Sequence, residues 1–107
     1  MSKLPKLTWL KQIDMHTLDQ NYSTQIKGKD TQNNQYYYTA FIEKVNVYLK
    51  DGSIKSGYKA TYKTFINANL YVSLSASKEP FKTLAEAKTW VKNGLALAWK
   101  TTNSIEV

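Results

Sequence analysis

Asp51-Gly52 stands between two long runs of β-prone residues, and this pair constrains the chain more than any other feature. Residues 36–65 read as a β-hairpin hinged there, because Asp-Gly suits a tight two-residue turn that needs positive φ. A type I′ turn sets Lys50 opposite Ser53, and the rest of the ladder follows. Phe41, Val45, Val47 and Leu49 then share an apolar face with Ile54, Tyr58, Ala60 and Tyr62. The other face carries Lys44, Tyr48, Lys50, Lys55, Lys59 and Lys63, with Lys44 directly opposite Lys59. Like charges facing each other across a strand pair are destabilising, so this face points to an anionic partner. The plain alternative is a solvated face that keeps the protein soluble and discourages edge pairing. The inference depends on register: a type I turn with a bulge at Gly52 slips one strand and breaks up the face.

All fifteen basic residues are lysine, set against eight acidic ones, for a formal charge of +7 over 107 residues. That balance favours nucleic acid, an acidic protein surface or an anionic membrane as a partner. Without arginine there is no planar fork for bidentate contacts to guanine or phosphate. Backbone electrostatics is therefore expected over base-specific readout. The absence of cysteine excludes disulfides and thiolate chemistry and is compatible with a reducing compartment. Met1 to Leu10 has no apolar core of a signal peptide, and no stretch reaches the length of a membrane span, so a cytoplasmic protein without a membrane role is expected.

The chain length suits one domain over residues 1–107, with 1–6 and 101–107 read as frayed tails. Leu7, Trp9, Lys11 and Ile13 alternate in a short strand whose Trp anchors the core, and Tyr22, Thr24 and Ile26 alternate in a second. Gly28 ends that strand, and the polar run from 28 to 35 reads as a mobile loop suited to recognition. From Ile66 to Ala76 a β-period recurs, with Ile66, Ala68, Leu70, Val72, Leu74 and Ala76 on its apolar side. Pro80 breaks it. Thr83-Leu84-Ala85-Glu86 is a capping box, so a helix starts at Leu84, and Leu84, Ala87, Val91, Leu95 and Ala98 repeat at helical spacing. Trp90 and Trp99 broaden that side, and Gly94 is a point where the helix can end. The expected fold is α+β: a single antiparallel sheet of four to five strands with one C-terminal helix packed on its apolar face.

Signals for chemistry are sparse. His16 is the only histidine, and Asp14 and Asp19 beside it do not make a metal site or a catalytic triad. The acids form no paired motif, and the four glycines form no phosphate-binding loop. No catalytic residue, metal or cofactor is assigned, and a non-enzymatic binding protein is expected. Tyr36, Tyr37 and Tyr38 are a second candidate surface, since exposed aromatics beside lysines stack bases without regard to sequence. Tyrosine is equally a strand residue that packs with its hydroxyl at the surface.

The segment Phe81-Lys82-Thr83-Leu84-Ala85-Glu86-Ala87-Lys88-Thr89-Trp90, preceded by a strand and a hairpin, resembles the closing unit of many small phage and mobile-element proteins. Over residues 36–93 the order of elements is also similar to the three-strands-then-helix unit of arm-type integrase and AP2-like DNA-binding domains. In those domains the open sheet face enters a DNA groove, which implies the same for Lys44, Lys55, Lys59 and Lys63. They commonly carry arginine and tryptophan on the sheet, and this chain has no arginine. The phage-protein resemblance implies an accessory protein that binds nucleic acid or a host nucleoprotein complex. Its alternative is an inhibitor of a host nuclease defence, of the anti-CRISPR kind, that acts by protein–protein contact.

Overall fold

The computed structural model describes residues 3–16, 20–67 and 70–106. It is an α+β fold with the strands β1 (Leu10–Ile13), β2 (Gln20–Lys29), β3 (Gln35–Tyr48), β4 (Ile54–Ile66) and β5 (Leu70–Ala76). The helix α1 (Leu84–Thr101) and a short strand β6 (Ile105–Glu106) complete it. The sheet is an antiparallel meander in the order β1-β2-β3-β4-β5, and β6 pairs with the far end of β2.

Register across β2, β3 and β4 pairs even positions with even: Tyr22 with Ile42, Ile42 with Ala60, Tyr38 with Thr64. Side chains alternate between faces of a strand, so the even positions form one face, and α1 packs on it. Tyr38, Ile42, Ala60 and Thr64 are fully buried there beneath Ala87, Val91, Leu95 and Trp99 of the helix. Those four helix residues recur at every fourth position, the spacing that keeps one stripe against the sheet. Tyr38 packs on Trp99 at 5.2 Å between ring centroids, and Trp90 lies between Tyr62 and Phe81.

The capping residue is Thr83, whose Oγ1 accepts from the Glu86 amide at 3.2 Å. The helix does not end at Gly94 but runs on to Thr101. Gly94 is there for closeness: a Cβ at that position would overlap the Tyr62 ring. Termination comes instead at Asn103, which adopts φ 52°. Its amide donates to Lys100 O, and the Ser104 amide donates to Trp99 O, both at 3.1 Å, the Schellman arrangement.

Several expectations are corrected. Residues 101–106 are no frayed tail. Ser104 is buried, the Tyr38 hydroxyl bonds Ser104 Oγ at 2.5 Å and Thr102 Oγ1 at 2.6 Å, and β6 joins the sheet. At the other end, Leu4 and Leu7 pack against the core, as does Trp9. The 28–35 loop shrinks to a turn, because Gly28, Lys29 and Gln35 are strand residues. Asp30 ties that turn: its carboxylate accepts from the amides of Gln32 and Asn34 at 2.9 and 3.0 Å and from the Tyr36 hydroxyl at 3.1 Å. Ile66 closes β4 rather than opening β5, and Leu74 and Ala76 are exposed rather than buried. Ala68, assigned to the apolar side of that strand, lies outside the described residues, as does Asp19.

Candidate nucleic-acid interface

The turn at the tip of the β3–β4 hairpin decides which lysines meet. Gly52 has φ 87°, the Gly52 amide donates to Leu49 O at 3.0 Å, and the Leu49 amide donates to Ser53 O at 2.9 Å. This is a type I turn followed by a glycine bulge, the three-residue hairpin loop. Asp51 favours it by accepting from the Ser53 amide at 2.9 Å and the Ser53 hydroxyl at 2.6 Å. These hydrogen bonds hold the Asp51 carboxyl below its ordinary pKa of 3.8. The register is one residue away from that of a type I′ turn: Tyr48 faces Ile54, Lys44 faces Tyr58, and Lys59 faces Glu43.

That single slip divides the expected site. Lys55, Lys59 and Lys63 stand on the face turned away from the helix, whereas Lys44 and Tyr48 stand on the opposite face and Lys50 lies in the turn. Lys59 faces an acid, not Lys44, so the like-charge argument fails. Phe41, Val45 and Val47 lie on the lysine side, and the core takes Tyr36, Tyr38, Ala40 and Ile42 in their place. Tyr36 and Tyr38 are therefore buried and leave only Tyr37 of the tyrosine run on the open side. Lysines also occur on the helix side, where Lys88 sits over the rings of Trp9 and Tyr22 at 5.7 and 5.3 Å.

What the fold assembles in place of the expected cluster is a broader open face. No described element covers the odd positions of β2, β3 and β4 where these strands run together. From β2 come Lys27 and Lys29, from β3 Tyr37, Thr39, Phe41 and Glu43, and from β4 Lys59, Thr61 and Lys63; Lys55 lies further out on the same side, beyond Gly57, against which Pro80 packs. Lys27, Lys29, Lys59 and Lys63 thus meet a single acid at these positions, Glu43, whereas Lys55 shares a recess with Glu79. Lys27 Nζ lies 5.6 Å from the centroid of Tyr37, directly across the strand pair. Phe41 is 38 % exposed and, with Leu10, Ser23, Thr39 and Lys63, lines a concavity of ≈ 620 Å³. The reading from sequence missed Lys27, Lys29 and Phe41. The signal for the two lysines was present, since they alternate with Ile26 and Gly28 in one strand.

Beyond Tyr58, which pairs with Phe81, the hairpin continues as two strands alone. The four pairs beyond it, from Val45 with Gly57 to Tyr48 with Ile54, carry the hairpin about 13 Å further at the usual rise per residue, in a molecule 54 Å long and 25 Å wide. Tyr48 is 76 % exposed near the tip, with Leu49 and Ile54 beside it.

His16 is exposed, and its amide donates to Asp14 Oδ1 at 2.8 Å in a local turn. Among the described residues no three His, Asp or Glu side chains gather as a metal site, and no helix is long and apolar enough to cross a membrane. No protein-family model, curated protein or solved structure matches this chain.

Proposed function

We propose that this protein is a non-enzymatic binder of single-stranded nucleic acid, which lies across the open face of the sheet without regard to base sequence. The observation that carries the reading is the composition of that face: Lys27, Lys29, Lys59 and Lys63 against Glu43, with Tyr37 and Phe41 between them and Lys55 further out on the same side. Lysine heads supply the phosphate attraction, and aromatic rings supply stacking that every base accepts. Without arginine the face has no bidentate reader of guanine. A nucleoprotein complex that exposes such a strand is bound in the same way.

Fluorescence anisotropy with labelled oligonucleotides tests this. If all five lysines neutralise phosphates, the salt slope on a single strand approaches about −3.5, from roughly −0.7 per phosphate, so affinity falls about 100-fold between about 50 and 200 mM salt. Phe41→Ala weakens binding by about 5- to 150-fold if one base stacks there, at roughly 1–3 kcal/mol per base. Affinity that does not change with salt sinks the proposal.

A second reading rests on the projecting arm. Tyr48, Leu49 and Ile54 form an exposed apolar tip that a nucleic-acid strand does not need. An inhibitor that grips a host nuclease by protein contact would use such a tip. A stoichiometric complex with such an enzyme, formed without nucleic acid and lost on Tyr48→Ala, would favour it.

A further inference from the structure

The hollow around Phe41 differs from the rest of the open face in what it lacks. The lysines stand around it: Lys27 and Lys29 toward one end of the face, Lys59 toward the other, and Lys63 at the rim. Inside it lie Ser23, Gln25, Thr39 and Thr61, all uncharged hydrogen-bonding side chains. Register sets them around the ring. Ser23 and Thr61 face Phe41 from the strands on either side, and Thr39 stands two residues along β3, between Gln25 and Lys63. Directly opposed Cβ atoms lie about 4.5–5.5 Å apart, so these groups reach whatever rests on Phe41.

The same groups are unpartnered. Elsewhere the hydroxyls of Thr24, Ser53, Ser77, Thr101, Thr102 and Ser104 are tied into bonds within the chain. Among the described residues, the side chains of Ser23, Gln25, Thr39 and Thr61 have no such bond. Ser23, Thr39 and Thr61 are nevertheless half-buried.

We infer that the strand taken up by this face is RNA, and that the hollow recognises the ribose 2′-hydroxyl beside a base stacked on Phe41. The inference rests on the open face being a single-strand site. A rotating hydroxyl donates and accepts alike, so a rim of serine and threonine answers every base edge equally and cannot choose among bases. What it can distinguish is the sugar. The 2′-hydroxyl, itself donor and acceptor, lets a site tell RNA from DNA whatever the base. With deoxyribose in its place, the half-buried hydroxyls lose water on binding and gain no partner. A site built for a hydroxyl rejects an analogue that lacks it by the same asymmetry. Lys63, directly across from Thr39, then meets the adjoining phosphate.

Anisotropy titrations of the full chain with labelled oligocytidylate as ribose, deoxyribose and 2′-O-methyl strands test this, since the base is the same in all three. The wild-type chain is expected to bind the ribose strand about tenfold more tightly than either of the others, the effect of one or two hydrogen bonds to the sugar. Thr39→Val with Thr61→Val keeps the shape of both residues, removes both hydroxyls and is expected to erase that preference. Equal affinity of the wild-type chain for ribose and deoxyribose strands overturns the inference and leaves the single-strand site standing. A ribose preference that survives both substitutions also overturns it. If neither strand binds, the proposed function fails, and this inference fails with it.

Discussion

Replacing Tyr38 by phenylalanine removes one oxygen from the centre of the molecule and tests how the C-terminal segment is held. Tyr38 is fully buried, and its hydroxyl bonds Thr102 Oγ1 at 2.6 Å and Ser104 Oγ at 2.5 Å. The two partners also bond each other at 2.8 Å, and Thr102 Oγ1 reaches Ala98 O at 3.0 Å. Neither is therefore left wholly unsatisfied, and the loss stays near that of two ordinary hydrogen bonds, each contributing about 0.5–1.5 kcal/mol. The ring itself and its contact with Trp99 remain. A destabilisation of about 2 kcal/mol corresponds to a fall in Tm of roughly 8–12 °C for a domain of this size. Thermal denaturation followed by circular dichroism measures it, and hydrogen exchange at the amides of residues 104–106 locates it. A fall below about 2 °C, with protection of those amides unchanged, would refute the claim that this hydroxyl anchors the C-terminal strand.

Other outcomes follow from the same packing. Gly28→Ala places a Cβ 2.6 Å from Cζ3 of the buried Trp99 ring, so overpacking of about 1–3 kcal/mol is expected in chemical denaturation. Thr64 buries an Oγ1 that finds no hydrogen-bond partner. Thr64→Val, which keeps the shape, is expected to raise stability by about 1 kcal/mol, and a lower midpoint in urea would contradict this. Desolvation works to raise the pKa of Asp30, but hydrogen bonds from Asn34, Gln32 and Tyr36 outweigh it and hold the carboxyl below 3.8. A depressed folded pKa stabilises the turn above the unfolded value and loses that contribution as pH falls through the folded one. Asp30→Asn is therefore expected to flatten the acid limb of a stability–pH curve.

The elements were legible because local signals for them were strong. The Thr83 to Glu86 cap and the Ala87, Val91, Leu95 repeat mark the helix, and Asp51-Gly52 marks the hairpin. Sidedness was not legible. Asp-Gly suits both a two-residue loop and a type I turn with a glycine bulge, and the choice rests on hydrogen bonds such as Ser53 to Asp51 that neighbouring identities do not reveal. One residue of slip exchanges the faces of one strand, and Lys44 and Tyr48 thereby part from Lys55, Lys59 and Lys63. Both residue sets of β3 are apolar enough for a core. Tyr38 wins because Thr102 and Ser104, more than sixty residues away, satisfy its hydroxyl. Such a long-range partner also explains why residues 101–107 read as a tail: Ser104 carries no hydrophobic signal, yet it is 2 % exposed.

The central claim concerns a face rather than a net charge, so the most direct measurement compares two double charge reversals that change net charge equally. Lys27→Glu with Lys63→Glu alters the open face, and Lys88→Glu with Lys92→Glu alters the helix. Each is titrated against the same labelled single strand at low salt. The open-face pair is expected to lose binding by about 100-fold or more and to flatten the salt slope by roughly 1.4, that is two phosphate contacts. The helix pair keeps the wild-type slope. Equal losses from both pairs would show that the protein attracts nucleic acid by total charge alone, and the open face would no longer be its binding site.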